Sequence, residues 1–249
     1  MTGEPAKALR QPSTDAEALH LLAAGDLVVE GRLVDASNAT LFCTISHEDI
    51  AAEAIYKPRA GERPLWDFPS GTLGRRELAA YVVSEALGWH IVPPTIWRNG
   101  QLGPGMVQLW IDVDEEVDVV ALVRSDRADL RRVAVFDVVI NNADRKGGHL
   151  LPTPSGRVYG IDHGVAFSVE DKVRTLLWQW EGQPLPADIV TDLELLGEAV
   201  GRAPLRSTLA SLLSQEELAA TAQRIQRLLT CRRHPGPSPD WPAIPWPPF

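Results

Sequence analysis

Residues 130–140 constrain the rest of the chain. Apolar side chains stand at Leu130, Val133, Ala134, Phe136, Val138, Val139 and Ile140, all round a helix rather than along one stripe, so that helix belongs inside a core. It stops at Asn141-Asn142 and gives way to Ala143-Asp144-Arg145-Lys146-Gly147-Gly148-His149, whose glycines let backbone approach closely. Leu150-Leu151, a Pro-Ser-Gly turn and a short apolar strand over 158–161 follow, with Asp162 at the strand's end. Two aspartates, each leaving a hydrophobic element beside glycine, meet the needs of phosphoryl transfer. One can accept or orient a hydroxyl proton, and the other can hold a metal on phosphates. Either short motif alone is usually only a turn; the joint arrangement carries the reading.

The pattern F-D-x-x-I-x-N-x-D-R, then a strand, then I-D-H-G-x-A-F, resembles the catalytic and metal-binding loops of atypical kinases related to phosphatidylinositol 3/4-kinases, and among them a short actinobacterial branch. The resemblance implies an α+β, two-lobed minimal protein-kinase-like fold of the PI3/4-kinase type. A small antiparallel β lobe plus one helix would be followed by a mainly helical large lobe. It also implies ATP as a substrate and Mg2+ or Mn2+ as the metal. Asp144 matches the catalytic aspartate, Arg145 and Lys146 the basic pair after it, and Asp162 the metal-binding aspartate. One position departs: His149 stands where the larger family carries an asparagine that helps hold a second metal. Imidazole suits softer metals better than magnesium, and Asn142 is an alternative ligand.

With 249 residues and 45% hydrophobic content, the chain can form one large domain or two small lobes sharing a cleft. The net charge of -9 and a pI near 5.2 provide no basic field for nucleic acid or anionic lipid. Cys43 and Cys231 lie far apart with no metal-ligand spacing, which points to a reduced, cytoplasmic protein. No run approaches the ~20 apolar residues of a transmembrane segment, and the N-terminus has no apolar leader core.

Residues 1–13 read as a flexible N-terminus. Ser13-Thr14-Asp15 can cap a helix over 16–24, closed by Gly25. Runs 27–34 and 40–45 form a hairpin through 35–39, and a third strand, 52–56, ends at Lys57-Pro58. By resemblance, Lys57 pairs with nucleotide phosphates. No G-x-G-x-x-G occurs, and Ser37 and Asn38 at the hairpin tip can offer backbone N–H groups and a hydroxyl to phosphate oxygens. The segment 58–71, PRAGERPLWDFPSG, is too rich in aromatic and proline residues for a linker. A helix over 72–87 follows, capped by Ser70 or Thr72 and stopped by Gly88. Its buried stripe would be Leu73, Leu78, Tyr81, Val82, Ala86 and Leu87. The resemblance selects Glu77 over Glu85 as the partner of Lys57; the plain alternative is a solvated Glu77. Strands 92–98 and 105–111 surround an Asn99-Gly100 turn. By resemblance the second leads to a hinge where backbone groups of Gln108, Leu109 and Trp110 bind the adenine edge while Met106 or Leu109 packs on the ring.

Residues 172–182 occupy the place of an activation loop, yet the segment is short, aromatic, and without a basic lipid-reading cluster. Two or three amphipathic helices fill 187–230, including 193–200 and 215–229. The domain reading is a nucleotide-covering lobe, 14–110; a lobe with the catalytic and metal loops, 111–230; and a Pro/Trp-rich tail, 231–249. That tail either packs its aromatics on the large lobe or offers a ligand to a protein partner. The expected activity is ATP-dependent transfer of the γ-phosphate to an acceptor, protein or small molecule rather than lipid. A nucleotide-binding pseudokinase with a regulatory or scaffolding role is the alternative, and nucleotidyl transfer would use the same residues.

Overall fold

A computed structural model describes residues 9–33 and 38–249. Ser37 lies outside the described residues. The chain forms two compact units, one of 1–74 with 94–110 and one of 75–93 with 111–249; each is described by itself.

In the smaller unit, helix α1 (Asp15–Ala24) starts at Thr14, whose hydroxyl accepts from the Glu17 N–H, and stops at Gly25. Strands β1 (Asp26–Arg32), β2 (Leu41–His47), β3 (Ile50–Pro58), β4 (Thr95–Gly100) and β5 (Gly103–Leu109) make one sheet in the order β1-β2-β3-β5-β4, antiparallel throughout. Leu21 and Leu22 of α1 pack on Leu27, Leu41, Cys43, Ile45, Ala54, Tyr56 and Val107. Two details differ from the sequence expectation. The fourth strand starts at Thr95 rather than at position 92, because Pro93 and Pro94 have no N–H to give a ladder. The following turn lies between Gly100 and Gly103, with Gly103 at φ +92, a conformation that favours glycine.

Helix α2 (Leu73–Ala86) crosses the boundary between the units. The Glu62 carboxylate, far back in the loop, accepts from the N–H groups of Leu73 (3.1 Å) and Gly74 (2.9 Å) at its start, and the Thr72 hydroxyl donates to the Pro69 carbonyl. The segment after Lys57 is therefore a cap carrier. The buried face also differs: Leu73, Arg76, Glu77, Ala80, Tyr81, Val83, Ser84 and Leu87 are inside, while Leu78 and Val82 are only half buried and Ala86 is exposed. Tertiary partners draw polar residues inward and turn the helix away from its hydrophobicity pattern. Gly88 ends the helix as expected, at φ +65.

The larger unit continues with α3 (Val119–Arg124), α4 (Ala128–Val139), β6 (Leu150–Pro152), β7 (Val158–Gly160), α5 (Ala187–Val200), α6 (Leu205–Ala210) and α7 (Gln215–Cys231). Strands β6 and β7 pair antiparallel, Leu151 opposite Tyr159. As the apolar run required, α4 is buried on almost every side, with Leu130, Val135, Phe136 and Val139 all at 0% exposure. Helix α7 opens with a reciprocal cap between Ser214 and Glu217. Among the described residues no helix is long and apolar enough to cross a membrane.

Candidate active site

The site begins with one charge placed where charges are costly. Asp137, on the third turn of α4, is completely buried. Its carboxylate accepts from Arg145 Nη2 (2.9 Å) and Nε (3.1 Å), Asn142 Nδ2 (2.9 Å) and the Thr175 hydroxyl (3.1 Å). A buried carboxylate is tolerated only when hydrogen-bonded and paired, so these partners make one assembly. Arg145, also at 0% exposure, sends Nη1 to the carbonyls of Ile161 (3.0 Å) and His149 (3.3 Å) and Nη2 to His163 Nε2 (2.6 Å). Guanidinium only donates, so His163 Nε2 accepts there. Every N–H of Arg145 is thus turned into the protein. Arg145, matched above to the first of the basic pair after Asp144, ties α4, the 145–149 loop and the end of β7 together.

Asn141 stops α4 in the left-handed region, at φ +53, which asparagine tolerates better than most residues. Its amide donates to the carbonyls of Ser168 (2.8 Å) and Glu170 (2.6 Å) and accepts from the Lys172 N–H (2.9 Å). Asn142, offered above as a metal ligand, is wholly buried and has both ends of its amide engaged: Nδ2 on Asp137 and Oδ1 on the Asp144 N–H (3.1 Å). In this structure it fastens the loop behind Asp144.

Held by this assembly, four ionisable groups remain accessible. The Asp144 side chain is 24% exposed, with Lys146 Nζ 3.4 Å from its Oδ2. His149 Nε2 stands 3.4 Å from Asp162 Oδ2, the imidazole 14% and the carboxylate 46% exposed. Burial pushes the Asp144 carboxyl above the usual carboxylate range, an effect opposed by the positive charges of Lys146 and His149 and reinforced by Asp162. Burial likewise holds His149 below the ordinary imidazole value, against the pull of Asp162. The mutual influence of Asp144, His149 and Asp162 places them in one electrostatic neighbourhood. Asp162 adopts φ +61 and Phe167, on the same segment, φ +64. Phe167 is fully buried, and its N–H donates to the Ile140 carbonyl (2.6 Å).

The other sequence-derived candidates are placed as follows. Lys57 lies on β3 opposite Met106 of β5, half buried. Glu77, on α2, is only 3% exposed, which excludes a solvated role. Its neighbour Arg76 donates to the Ala166 carbonyl (2.7 Å) and ion-pairs with Glu217. Asn38 accepts from the Arg63 N–H (2.9 Å). At the end of β5 the Gln108 amide donates to the Thr95 hydroxyl (2.8 Å), the Leu109 N–H to the Pro94 carbonyl (2.9 Å) and the Trp110 N–H to the Glu53 carbonyl (3.0 Å). Those donors are therefore spent within the sheet.

Asp137 and His163 stand in the motif quoted above, yet sequence reasoning gave neither a role, and it did not single out Thr175. Asp137 had a readable signal, a lone acid in a helix apolar all round, which has to find a partner. Thr175 had none.

Comparison with known proteins places this architecture. No family model matches the chain. The fold is a kinase-like one. It is similar to the Golgi casein kinase in its crystal structure with Mn/ADP bound, at a TM-score of 0.60 and 14% identity, covering 87% of this chain and 75% of that one. It is also similar to hydra Fam20 with sugar, at a TM-score of 0.56 and 14% identity, covering 91% of each chain. In sequence the chain is 44% identical over 264 residues to Protein Rv2133c of Mycobacterium tuberculosis (strain ATCC 25618 / H37Rv), covering 92% of this chain and 94% of that protein, and it belongs to the same family.

Proposed function

We propose that this protein is an ATP-dependent phosphotransferase of the atypical, PI3/4-kinase-like type, transferring the γ-phosphate to a protein or small-molecule hydroxyl in the cytoplasm. The observation that carries the reading is the convergence of Asp144 and His149, accessible on a loop whose supports, Asp137 and Arg145, are fully buried, with Asp162 just past β7. Catalysis of this kind is positioning and electrostatics, and two carboxylates, one on the braced loop and one just past β7, suit it. The kinase-like fold supports the same reading, as does the Mn/ADP bound in the similar Golgi casein kinase. Lipid is disfavoured as the acceptor by the net charge of -9.

In this reading Asp144 accepts the acceptor hydroxyl's proton, a role that a carboxyl of raised pKa performs better than an ordinary one. Lys146, beside it, offsets charge on the transferred group. Lys57 and Glu77 serve the nucleotide phosphates, with Ser37 and Asn38 covering them, and the Gln108, Leu109 and Trp110 segment borders the base. The donor set of Asp162 and His149, one half-exposed carboxylate beside one imidazole, fits a divalent ion, manganese better than magnesium. Bound there, such an ion would neutralise phosphate charge.

The test is incubation with γ-labelled ATP and either metal, beside Asp144→Ala and Asp162→Ala, scoring transferred label and ADP. Each variant should lose on the order of hundredfold or more in rate. The acid limb of the wild-type rate should lie above the ordinary carboxylate value of about 3.9, because the deprotonated Asp144 is the working form. Transfer that survives both substitutions refutes the assignment. Metal-independent ATP binding without turnover would make the chain a pseudokinase. A product gaining a nucleotidyl mass would make it a nucleotidyltransferase.

A further inference from the structure

The end of the sequence returns to the loop that carries Asp144. Trp241 lies under the Lys172 ammonium, 4.8 Å from ring centre to nitrogen. The Ala243 carbonyl accepts from the Thr175 N–H (3.1 Å) and from Trp178 Nε1 (2.9 Å). The Pro248 carbonyl accepts from the Gly147 N–H (2.8 Å). The Phe249 ring then rests on the Gly147 Cα so closely that a Cβ at 147 would overlap it, whereas a Cβ at Gly148 would meet open space.

Both anchor points are one step from the residues that place Asp144. Thr175 bonds the Asp137 carboxylate through its hydroxyl and bridges Arg145 through its backbone. Gly147 opens the single 3-10 turn, Gly147–His149, between Lys146 and β6. Two adjacent glycines bring no side chain to pack and the largest ordering entropy of any residue pair, so the turn draws its rigidity from outside itself. An acceptor at one end of a backbone N–H and an aromatic ring laid on the bare Cα supply it.

We infer that residues 241–249 are a positioning strap for the reaction. Pro248 and Phe249 hold the Gly147–His149 turn, and Ala243 holds the Thr175 segment, so that Asp144 and His149 keep a fixed relation to the acceptor. This rests on the phosphotransferase reading above. The strap residues act through the loop and touch neither nucleotide nor metal. Glycine at 147 is required by the ring above it, and glycine at 148 is not.

The experiment compares the full-length chain with Gly147→Ala, Phe249→Ala, Gly148→Ala and the double Gly147→Ala/Phe249→Ala. Amide exchange across 146–149 and turnover at varied ATP are both measured. The Gly147→Ala and Phe249→Ala chains should show exchange at 147 faster by about tenfold or more, and Gly148→Ala should retain wild-type protection. In the first two, kcat should fall about tenfold with KM for ATP unchanged, and the double should match the singles rather than multiply them. Unchanged exchange in Gly147→Ala and Phe249→Ala, or the same acceleration in Gly148→Ala, overturns the strap. Faster exchange with wild-type kcat overturns its positioning role. A wild-type chain with no turnover defeats the phosphotransferase reading instead, and the exchange pattern by itself then decides whether the strap orders the loop.

Discussion

Replacing Arg145 by methionine should destabilise this protein by about 3–5 kcal/mol, the usual consequence of removing one partner of a buried pair. The figure follows from what would be left behind. Asp137 would remain wholly buried with only Asn142 and Thr175 as donors, and the Ile161 carbonyl would lose the Arg145 donor, while the His149 carbonyl would keep the Ile161 N–H. Each kcal/mol moves the unfolding midpoint of a chain this long by about 2–4 °C, so Arg145→Met should melt roughly 6–20 °C below wild type. A global stability of about 5–15 kcal/mol survives that loss at room temperature. Removing Asp137 as well, in Asp137→Leu/Arg145→Met, takes away the uncompensated charge. The remaining cost is that of orphaned neutral groups, about 1–3 kcal/mol for each that stays buried, so the double must lie well above the sum of the singles. Thermal unfolding followed by circular dichroism at low and high salt measures all four corners of the cycle. Because neither partner meets solvent, salt should leave the coupling nearly unchanged. An Arg145→Met midpoint within about 2 °C of wild type, or a double equal to the sum of the singles, refutes the argument that this pair braces the loop.

Two further outcomes follow from buried groups away from the loop. His234 is 4% exposed, its Nε2 has no hydrogen-bond partner, and burial pushes it down to about 4. Between that value and the unfolded value of about 6.5 the unfolded chain binds a proton that the folded one does not, so stability is fully present above the window. It should be lost as the pH falls through it, by about 3 kcal/mol in all; urea midpoints at several pH values should show a slope that His234→Gln flattens, and equal slopes would contradict a buried neutral imidazole. Ser84, at 0% exposure, accepts the N–H groups of Ile91 (2.7 Å) and Val92 (3.2 Å) just past α2. Ser84→Ala should therefore lower stability by about 2 kcal/mol, readable as a shifted urea midpoint with unchanged slope.

Residues whose role is local could be read in the sequence. The all-round apolar run required α4 to be buried, the asparagines marked its end, and the two aspartates stood where hydrophobic elements stop. Pairings that span the chain could not be read. Glu62 caps α2 across eleven residues of irregular loop, and a carboxylate in such a loop looks no different from a solvated one. Arg76 is buried on α2 because the Ala166 carbonyl and Glu217 receive it, and hydrophobicity alone found only Leu73, Tyr81 and Leu87 of the buried face. Arg145 looked like a functional cation because it follows the aspartate; only its surroundings show a charge consumed inside the protein. Gly147 and Phe249 stand a hundred residues apart, and nothing in either neighbourhood announces their contact.

The backbone at Asp162 bears on how this protein can be improved. A left-handed conformation costs an ordinary L-residue about 1–2 kcal/mol, aspartate less, and glycine almost nothing. Asp162 and Phe167 both adopt it within one short segment, Phe167 at the larger cost. A chain refined for thermal endurance alone would drift to glycine at 162, gaining stability and giving up its half-exposed carboxylate. Screens that select only for heat resistance are thus biased toward inert versions of this protein, and need a readout of ligand chemistry beside the melting curve.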